Sequence, residues 1–360
     1  MFSPQIRVLI IDDSAIARNT LSRILETDPE IEVVGTAPDA LIGLRKIAEC
    51  SPDVLTLDVE MPKMDGLTFL ERLMSSRPMP VVMVSAYTSE GSETALRALD
   101  LGALEIIEKP SIDVSSGLQE LALQITDKVK AAAQAKLKSP QQRFQKQHLR
   151  NSHTKLAHSE LKKISHFPSI IAIGASTGGT DSLREILAEL SADLPGILIV
   201  QHMPKAFTQS FAKSLDRVSQ IDVKEAISGD RVKSGLALLA PGDRHLTLKR
   251  DVHGYFVELT DEPHLNRHRP SVDILFESIS KCAGGGALGI LLTGMGSDGA
   301  KGLLGMKQKG AWTIAQEESS CVVYGMPRVA VELGATSEIL TLSLIHISEP
   351  TRLGMISYAV

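Results

Sequence analysis

Ten residues, IIAIGASTGG at positions 170–179, decide the fold of the second half of the chain. Four apolar residues typical of a buried strand enter a glycine-rich turn, and a helical pattern over Leu183–Leu194 follows. A strand that enters a helix in this way is the repeating unit of parallel α/β sheets, whose ligands bind at the carboxyl ends of the strands. We therefore expect an α/β domain here, with its chemistry in the glycine-rich turn.

The same alternation of strand and helix patterns continues beyond this unit. A hairpin is predicted over Leu246–Leu259, around His253-Gly254, and helices are predicted over Phe207–Val218 and Val272–Ile279. The predicted strands of this domain are Ile170–Ile173, Ile197–Val200, Leu236–Leu239, Leu288–Leu292 and Ala311–Ala315.

Five apolar runs alternate with helical patterns in the first part of the chain as well. Strands interleaved with helices imply right-handed crossovers and a parallel sheet that is covered on both faces. The sequence thus predicts two doubly wound parallel-sheet domains, a flavodoxin-like one followed by a Rossmann-like three-layer αβα one. The strands predicted for the first domain are Val8–Ile11, Ile31–Val34, Val54–Leu57, Val81–Val84 and Leu104–Ile107.

The chain of 360 residues is long enough for two domains. The predicted boundaries are residues 1–137 for the first domain, 138–168 for a polar linker and 169–341 for the second domain. The linker is rich in basic residues, His, Gln and Ser, which favours a solvated tether over a nucleic-acid-binding arm. Residues 342–360 read like the translation of a sequencing adaptor, and we expect them to be an assembly artefact rather than native sequence.

Composition and charge exclude several classes of protein. A formal net charge of −5 gives no overall basic field to hold nucleic acid or anionic lipid. The three cysteines lie far apart and lack the spacing of a zinc or redox site. No apolar run approaches the roughly 18 residues of a membrane span, and no signal peptide is recognisable. We expect a cytoplasmic protein with no membrane insertion and no nucleic-acid partner.

Acidic side chains gather at the predicted strand ends of the first domain. Asp12 and Asp13 follow the first strand and Asp58 ends the third, so the sheet brings three carboxylates to one edge. Such a cluster needs a cation, and oxygen ligands favour Mg²⁺, which also accepts a phosphate oxygen. Ser85 and Lys109 end the fourth and fifth strands, where they would face incoming phosphate oxygens. Asp58 is then predicted to be a nucleophile that forms an aspartyl phosphate.

The glycine-rich turn of the second domain fits two chemistries. It could cradle a nucleotide pyrophosphate at the helix start, or it could present Ser176 as a nucleophile at the sheet edge. Ser176 stands where a dinucleotide turn needs its second glycine, and His202 follows the next strand instead of an acid, so hydrolysis is favoured. Asp298 is the carboxylate of a second glycine-rich loop. We expect it to orient His202, which would complete a Ser-His-Asp triad.

Three further features lie near the same predicted edge. The backbone at Thr177 begins a helix and could donate to an oxyanion. Met295 is flanked by glycines and could do the same, although ordinary packing accounts for it equally well. The run Arg267-His268-Arg269 is either a solvated charge cluster or a basic lip that attracts an acidic substrate.

The first domain resembles response-regulator receiver domains. The resemblance implies phosphorylation of Asp58 by a histidine kinase, Mg²⁺ held with Asp12 and Asp13, and rotation of Ser85 toward the phosphoryl group. Ile106 departs from the pattern, because the family often has an aromatic residue at this position. The motifs that carry the resemblance are IDDS at residues 11–14, Asp58 followed by MPKMDG at 61–66, Ser85-Ala86 and Lys109-Pro110.

The second domain resembles the catalytic domain of the chemotaxis protein-glutamate methylesterases, the CheB family. Ser176 would be the nucleophile, His202 the base and Asp298 the carboxylate that orients it, with Thr177 and Met295 supporting the oxyanion. Together with the receiver and linker, the resemblance covers about 340 of the 360 residues. The motifs that carry it are GASTGG at 174–179, QHMP at 201–204, APGD at 240–243, NRHRPSVD at 266–273 and LTGMGSDG at 292–299.

This resemblance also implies a substrate, partners and a form of regulation. The substrate would be glutamyl methyl esters on the cytoplasmic helices of methylated chemoreceptors, hydrolysed without a metal or organic cofactor, and deamidation of receptor glutamines stays open. The phosphodonor would be a chemotaxis histidine kinase. We expect the unphosphorylated receiver to cover the Ser176 edge and phosphate on Asp58 to release it.

Two alternatives come from other functional classes. A receiver joined to a non-catalytic nucleotide-binding adaptor would bind nucleotide through residues 174–179 and would not depend on the Ser176 hydroxyl. A DNA-binding response regulator is disfavoured, because no helix-turn-helix with a basic recognition helix follows the linker.

Overall fold

A computed structural model describes residues 4–85, 89–110, 118–136 and 168–345 of the chain. The chain divides into two compact units, Met1–Leu156 and Ala157–Val360, which are described separately below. Most of the predicted linker and the end of the predicted artefactual tail lie outside the described residues. The predicted division of the chain into four segments therefore stays a prediction.

The first unit is a five-stranded parallel sheet with strand order β2-β1-β3-β4-β5. Each strand is followed by a helix. The strands are β1 (Ile6–Ile11), β2 (Ile31–Ala37), β3 (Val54–Asp58), β4 (Val81–Ser85) and β5 (Glu105–Glu108). The helices are α1 (Ala15–Leu25), α2 (Ala40–Cys50), α3 (Gly66–Ser76), α4 (Ser89–Leu101) and α5 (Leu118–Ala133).

The central strands of this sheet are buried on both faces. Every residue of β3 and β4 is buried, as expected for a parallel sheet covered by helices on each side. Local sequence fixes where the first helices begin. The side chains of Ser14, Asp39 and Asp65 each accept a hydrogen bond from a backbone N–H in the first turn of α1, α2 and α3.

The second unit contains a seven-stranded parallel sheet and a separate antiparallel hairpin. The strand order of the large sheet is β14-β13-β12-β6-β7-β9-β8, and β10 pairs with β11. The strands are β6 (Ile170–Ala175), β7 (Gly196–Gln201), β8 (Asp222–Glu225), β9 (Leu236–Leu239), β10 (His245–Asp251), β11 (Gly254–Thr260), β12 (Ala287–Leu291), β13 (Trp312–Gln316) and β14 (Glu338–Leu340). The helices are α6 (Gly179–Glu189), α7 (Lys205–Asp216), α8 (Val272–Cys282), α9 (Ala300–Gln308), α10 (Met326–Glu332) and α11 (Leu342–Ile345).

Strands β12, β6 and β7 are neighbours at the centre of this sheet, and all their residues are buried. Their registers pair Leu291 with Gly174 and Ala175 with Gln201, so the three strands end at the same level. The prediction of two parallel-sheet α/β domains is confirmed. No helix in the described part of the chain is long and apolar enough to cross a membrane.

Two strands of the second unit were not predicted. β8 has only Val223 buried among four residues, and β14 has three residues, none of them fully buried. Both are edge strands, whose sequences lack the long apolar run of the central strands. The predicted hairpin is present, and its turn reaches Gly254 at φ +106°.

Candidate functional sites

Three strand ends of the second unit bring the predicted triad residues to one edge of the sheet. Ser176 follows β6, His202 follows β7, and Asp298 lies in the loop after β12. The backbone pairing continues past the strands, because Ser176 N donates to Thr293 O at 3.0 Å and His202 N donates to Ala175 O at 3.1 Å. Ser176, His202 and Asp298 are 8%, 6% and 1% exposed, so each is largely shielded from water.

The turn that carries Ser176 is held by a buried glutamine. Gln201 Nε2 donates to Ser176 O at 2.9 Å, and Gly179 N donates to the same oxygen at 2.7 Å. A β-carbon at position 179 would lie 2.3 Å from Gln201 Oε1, so only glycine permits this close approach. The sequence motif contains Gln201, but its role in fixing the nucleophile turn was not predicted.

His202 and Asp298 form a buried hydrogen-bonded pair. His202 Nε2 lies 2.9 Å from Asp298 Oδ2. With its Nε2–H donating to the carboxylate, the imidazole has its lone pair on Nδ1, and this buried atom has no hydrogen-bond partner among the described residues. A base held by a carboxylate on one nitrogen and open on the other can take a proton from a nearby hydroxyl.

Asp298 is charged despite its burial. Burial raises the pKa of this carboxyl, but the hydrogen bond from His202 and the charges and donors around it hold the pKa below its ordinary value. Ser271 Oγ donates to Oδ1 at 2.7 Å, and Val272 N at the start of α8 donates to Oδ2 at 2.7 Å. Asn266 Nδ2 also donates to Oδ1 at 2.7 Å.

The loop before α8 supplies a second contact to His202. The His268 ring stacks on His202, with ring centroids 3.7 Å apart and an angle of 13° between the planes. Arg269 of the same run pairs with Asp243 through Nε at 3.0 Å and through Nη2. The charge of Arg269 is thus balanced within the protein, and His268 lies directly on the candidate base.

The predicted oxyanion residues lie in the same group of loops. Thr177 is 2% exposed, and its carbonyl accepts a hydrogen bond from Thr293 Oγ1 at 3.0 Å. Met295 is half-buried, and its Cα would lie 3.0 Å from a β-carbon at Gly325. The segment before α10 packs on this loop, since Gly294 N donates to Val323 O at 3.1 Å. That segment was not predicted, because no catalytic residue type marks it.

The first unit has a separate acidic site at the ends of β1, β3 and β5. Lys109 Nζ lies 3.0 Å from Asp12 Oδ2 and 2.8 Å from Asp58 Oδ2. Asp12 and Asp58 are 0% and 2% exposed, whereas Asp13 is exposed. Ser85, at the end of β4, is 1% exposed.

Burial dominates the electrostatics of this site. It raises the pKa of Asp58 to about 6, with the Asp12 charge adding to the effect and Lys109 opposing it. Burial also raises the pKa of Asp12. For Lys109, burial lowers the pKa, but the two carboxylates outweigh it, so the pKa lies above its ordinary value.

The carboxylates of the first unit fit a divalent cation. One carboxylate oxygen from each of Asp12, Asp13 and Asp58 lies within 4.8 Å of the others. An all-oxygen donor set suits a hard cation, and a bound cation would offset the cost of burying two negative charges.

Two protein-family models match the sequence of this chain. The model described as CheB methylesterase matches residues 171–347, and the model described as response regulator receiver domain matches residues 8–120. The first match runs past Thr341, the last residue before the predicted artefactual tail. In the structure, Leu342 and Ile345 of α11 are both buried. The test of the prediction that residues 342–360 are an assembly artefact is resequencing of the locus.

Curated relatives are similar over nearly the whole chain. A protein-glutamate methylesterase/protein-glutamine glutaminase 1 of Geobacter metallireducens is 51% identical over 95% of this chain and 94% of its own length. A protein-glutamate methylesterase/protein-glutamine glutaminase of Salmonella typhimurium is 49% identical over 95% of both chains. The solved structure of the Thermotoga maritima CheB methylesterase catalytic domain is 37% identical, with a TM-score of 0.50, and covers 52% of this chain and 100% of that one.

These matches identify the class and the family of the protein. The chain is a carboxylic ester hydrolase joined to a response-regulator receiver domain. It belongs to the CheB family of protein-glutamate methylesterases. The receiver domain also implies that the first unit binds a divalent metal. The alternative of a nucleotide-binding adaptor is not supported.

Proposed function

We propose that this chain hydrolyses glutamyl methyl esters of chemoreceptors at Ser176, under control of phosphorylation at Asp58. The observation that carries the proposal is the buried hydrogen bond of 2.9 Å between His202 Nε2 and Asp298 Oδ2, at the sheet edge where Ser176 follows β6. Family membership supplies the reaction class, and this pair supplies the base that the reaction needs.

The proposed chemistry is acyl transfer through a serine ester. His202 Nδ1 takes the proton of the Ser176 hydroxyl as the oxygen attacks the ester carbonyl. The imidazolium then gives that proton to the methoxide group as the C–O bond breaks, and methanol leaves. Water next attacks the acyl-enzyme with His202 again as base, which releases the glutamate side chain and restores Ser176. Asp298 keeps Nδ1 available and stabilises the positive imidazole that forms at each proton transfer.

Backbone donors are the proposed support for the oxyanion. Thr177 lies directly before the glycines that open α6, and Met295 lies between two glycines in the loop after β12. Donors fixed in a buried site need no reorganisation when negative charge develops on the carbonyl oxygen. We assign this role to the backbone at Thr177 and Met295.

The receiver supplies the proposed control. A histidine kinase of the same signalling system would be the phosphodonor, and Asp58 would accept the phosphoryl group. Mg²⁺ would be held by Asp12, Asp13 and Asp58, and it would offset the negative charge of the phosphoryl oxygens. Lys109 already contacts Asp58, and Ser85 ends the adjacent strand, so both can bind oxygens of a phosphoryl group on that carboxylate.

The names of the relatives support the class of the proposed substrate. Their names pair methylesterase with glutaminase, which fits one acyl-enzyme reached from a methyl ester or from a primary amide. We propose methylated cytoplasmic helices of chemoreceptors as the substrate and the cytoplasm as the place of the reaction.

Methanol release from methylated receptor membranes tests this proposal. The Ser176→Ala variant should lose at least about a thousandfold of the wild-type rate, because the nucleophile is gone. Ser182→Ala is the matched control, since Ser182 is also a buried serine but its hydroxyl donates to Gly178 O within the same segment. Equal release by wild type and Ser176→Ala would refute the assignment of the nucleophile.

A further inference from the structure

Asn266 lies in a tight turn that contacts both members of the His202–Asp298 pair. Leu265 and His268 exchange backbone hydrogen bonds at 3.1 and 2.9 Å, and the two residues between them have φ of +53° and +68°. Two positive φ values in succession mark the tight turn that favours Asn or Gly at its first central position. Glycine would meet this backbone requirement as well, so the turn alone does not account for the amide side chain.

The Asn266 amide bridges two buried carboxylates. Its Nδ2 donates to Asp298 Oδ1 at 2.7 Å and to Asp273 Oδ2 at 2.8 Å. Asp298 and Asp273 are 1% and 7% exposed. Two anions buried side by side repel each other strongly unless donors lie between them. The two hydrogens of one amide nitrogen serve that purpose here.

Asp273, the second carboxylate bonded by Asn266, also contacts the start of α9. Its other oxygen, Oδ1, accepts a hydrogen bond from Gly302 N, in the first turn of α9, at 2.7 Å. Burial raises the pKa of Asp273, and the nearby Asp298 charge adds to that effect, while the bonds from Gly302 and Asn266 oppose it. Asp273 thus ties Asn266 to the start of α9 and adds negative charge beside the catalytic carboxylate.

The turn therefore contacts both His202, the candidate base, and Asp298, its carboxylate. His268 stacks on the His202 ring, and Asn266 bonds the Asp298 oxygen that is not shared with His202. A shift of the turn would move both contacts together. Ser271 Oγ, Val272 N and Asp273 N also donate to Asp298 from the start of α8, whereas the Asn266 amide donates to both carboxylates.

We propose that Asn266 is a positioning residue of the esterase reaction, which fixes the Asp298 carboxylate against His202 and separates it from Asp273. This inference rests on the proposed roles of Ser176, His202 and Asp298. It predicts that loss of the amide slows the attack by Ser176 while substrate binding stays nearly unchanged.

The test measures how fast a fluorophosphonate labels Ser176 in the full-length chain, with a phosphodonor and Mg²⁺ present throughout so that the proposed receiver control is released. The fluorophosphonate forms a phosphorus–oxygen bond to an activated serine and expels fluoride, so it reports on the triad without a receptor. Asn266→Gly keeps the turn and removes the amide, and we expect labelling about tenfold slower than wild type. Asn266→Asp adds a third carboxylate and should slow labelling by about a hundredfold. Ser51→Gly, at an exposed residue of the first unit with φ of +45°, is the control for glycine at a positive φ and should label within about twofold of wild type.

A double-mutant cycle with Asp273→Asn separates positioning from a mere effect on the turn. Removing the Asp273 charge removes one of the two anions that Asn266 separates, so Asn266→Gly should then cost less than about threefold. In methanol release, Asn266→Gly should lower kcat and leave KM within about twofold. Thermal unfolding by circular dichroism shows which variants are folded.

The outcomes distinguish the role of Asn266 from the proposed function. Wild-type labelling of folded Asn266→Gly would overturn the role of Asn266, and so would an equal loss whether or not Asp273→Asn is also present. Labelling of wild type without methanol release would overturn the proposed substrate and leave the role of Asn266 standing. A wild-type chain that does not label at Ser176 would overturn both.

Discussion

Two buried aspartates of this chain have pKa values shifted in opposite directions. Asp298 and Asp58 are 1% and 2% exposed, so burial disfavours the charge on both. Asp298 accepts hydrogen bonds from an imidazole, an amide, a hydroxyl and a backbone N–H, and its pKa is lowered. Asp58 has Lys109 as its main donor and faces Asp12, and its pKa is raised. At Asp298 the interactions with His202 and Asn266 outweigh burial, whereas at Asp58 burial outweighs the contact with Lys109.

Asp298→Asn should remove most of the esterase activity. The amide cannot stabilise a positive His202, and we expect kcat to fall by about 10³–10⁴-fold with little change in KM. Asp261→Asn is the control, because Asp261 is an exposed carboxylate paired with Arg244. Methanol release at about pH 7.5, above the ordinary histidine pKa, measures both variants. A loss below about tenfold in Asp298→Asn would contradict the role given to this carboxylate.

The raised pKa of Asp58 should appear as pH-dependent stability of the first unit. The folded pKa of about 6 lies above the ordinary 3.8, which means that folding favours the protonated form of Asp58. The resulting contribution of Asp58 to the stability of the first unit is present below about pH 4 and is lost as pH rises through 6. With EDTA present, Asp58→Asn should therefore stabilise the unit more at about pH 7.5 than at about pH 4.5, by about 1–3 kcal/mol. Urea titration with pulsed hydrogen exchange, read on β1 peptides of the full chain, measures this difference. Equal effects at both pH values would contradict it.

At the scale of elements, the site is built from strand ends and the loops that follow them. β12, β6 and β7 stay paired beyond their last residues, and this pairing fixes the backbone of Ser176 and His202 before any side-chain contact is counted. The loops after β11 and β12 then bring in Asn266 and Asp298 from distant parts of the chain. Close packing of these loops leaves little room for added atoms.

Gly294→Ala tests how tightly the loop after β12 packs on the nucleophile. A β-carbon there would lie 2.6 Å from Ser176 Cβ and 2.4 Å from Met326 Sδ, so the loop or Ser176 must move. We expect fluorophosphonate labelling at least about tenfold slower and a stability loss of about 1–3 kcal/mol. Gly305→Ala in α9 is the control, because its nearest neighbour is Ser280 Oγ at 3.9 Å. Full activity in Gly294→Ala would show that the loop adapts without cost.

His245 should make the loop before α8 sensitive to acid. It is fully buried, with Nδ1 accepting from Ser271 N at 3.1 Å and Nε2 donating to Pro263 O at 3.2 Å. Burial lowers its pKa below 6.5, with the Arg269 charge adding to the effect. Its contribution to stability is thus present above pH 6.5 and lost as pH falls through the folded pKa.

Acidification from about pH 7.5 to about pH 5.5 should therefore reduce the stability of the second unit. His245→Gln should be less stable than wild type at the higher pH, and the gap should narrow at the lower one. Hydrogen exchange of α8 amides in the full-length chain measures both effects. A gap that is constant with pH would contradict the linkage to His245.

At the scale of the whole molecule, two sites with different chemistry belong to separate compact units of one chain. The acidic site lies in the first unit, and the esterase site lies in the second. In the proposed function, a phosphodonor acts on the first site and the methyl ester is hydrolysed at the second. Coupling between the two sites is then measurable as a change at one caused by a ligand at the other.

A phosphodonor with Mg²⁺ should raise methanol release by the wild-type chain, and Asp58→Asn should abolish this rise. The reason is that the amide cannot accept the phosphoryl group. Asp53→Asn is the control, because Asp53 is an exposed aspartate just before β3 whose carboxylate accepts a hydrogen bond from Arg7 N. A rise of equal size in Asp58→Asn would place the control of activity elsewhere.

Local sequence was sufficient for most of the fold. The apolar runs of the central strands and the glycine-rich turns predict the parallel sheets, because strands buried on both faces must be continuously apolar. The same reasoning missed β8 and β14, whose edge positions require few buried residues. It also placed the predicted triad at one edge, since parallel strands end together.

Patterns within a few residues were enough to determine the two α/β units and the acidic cluster and to propose the three residue types of the triad. Only the tertiary structure decided that Asn266 joins Asp298 to Asp273 and that His268 stacks on His202. These contacts join loops that lie far apart in the chain. Their geometry follows from how the loops after β11 and β12 pack together, and no local pattern records that packing.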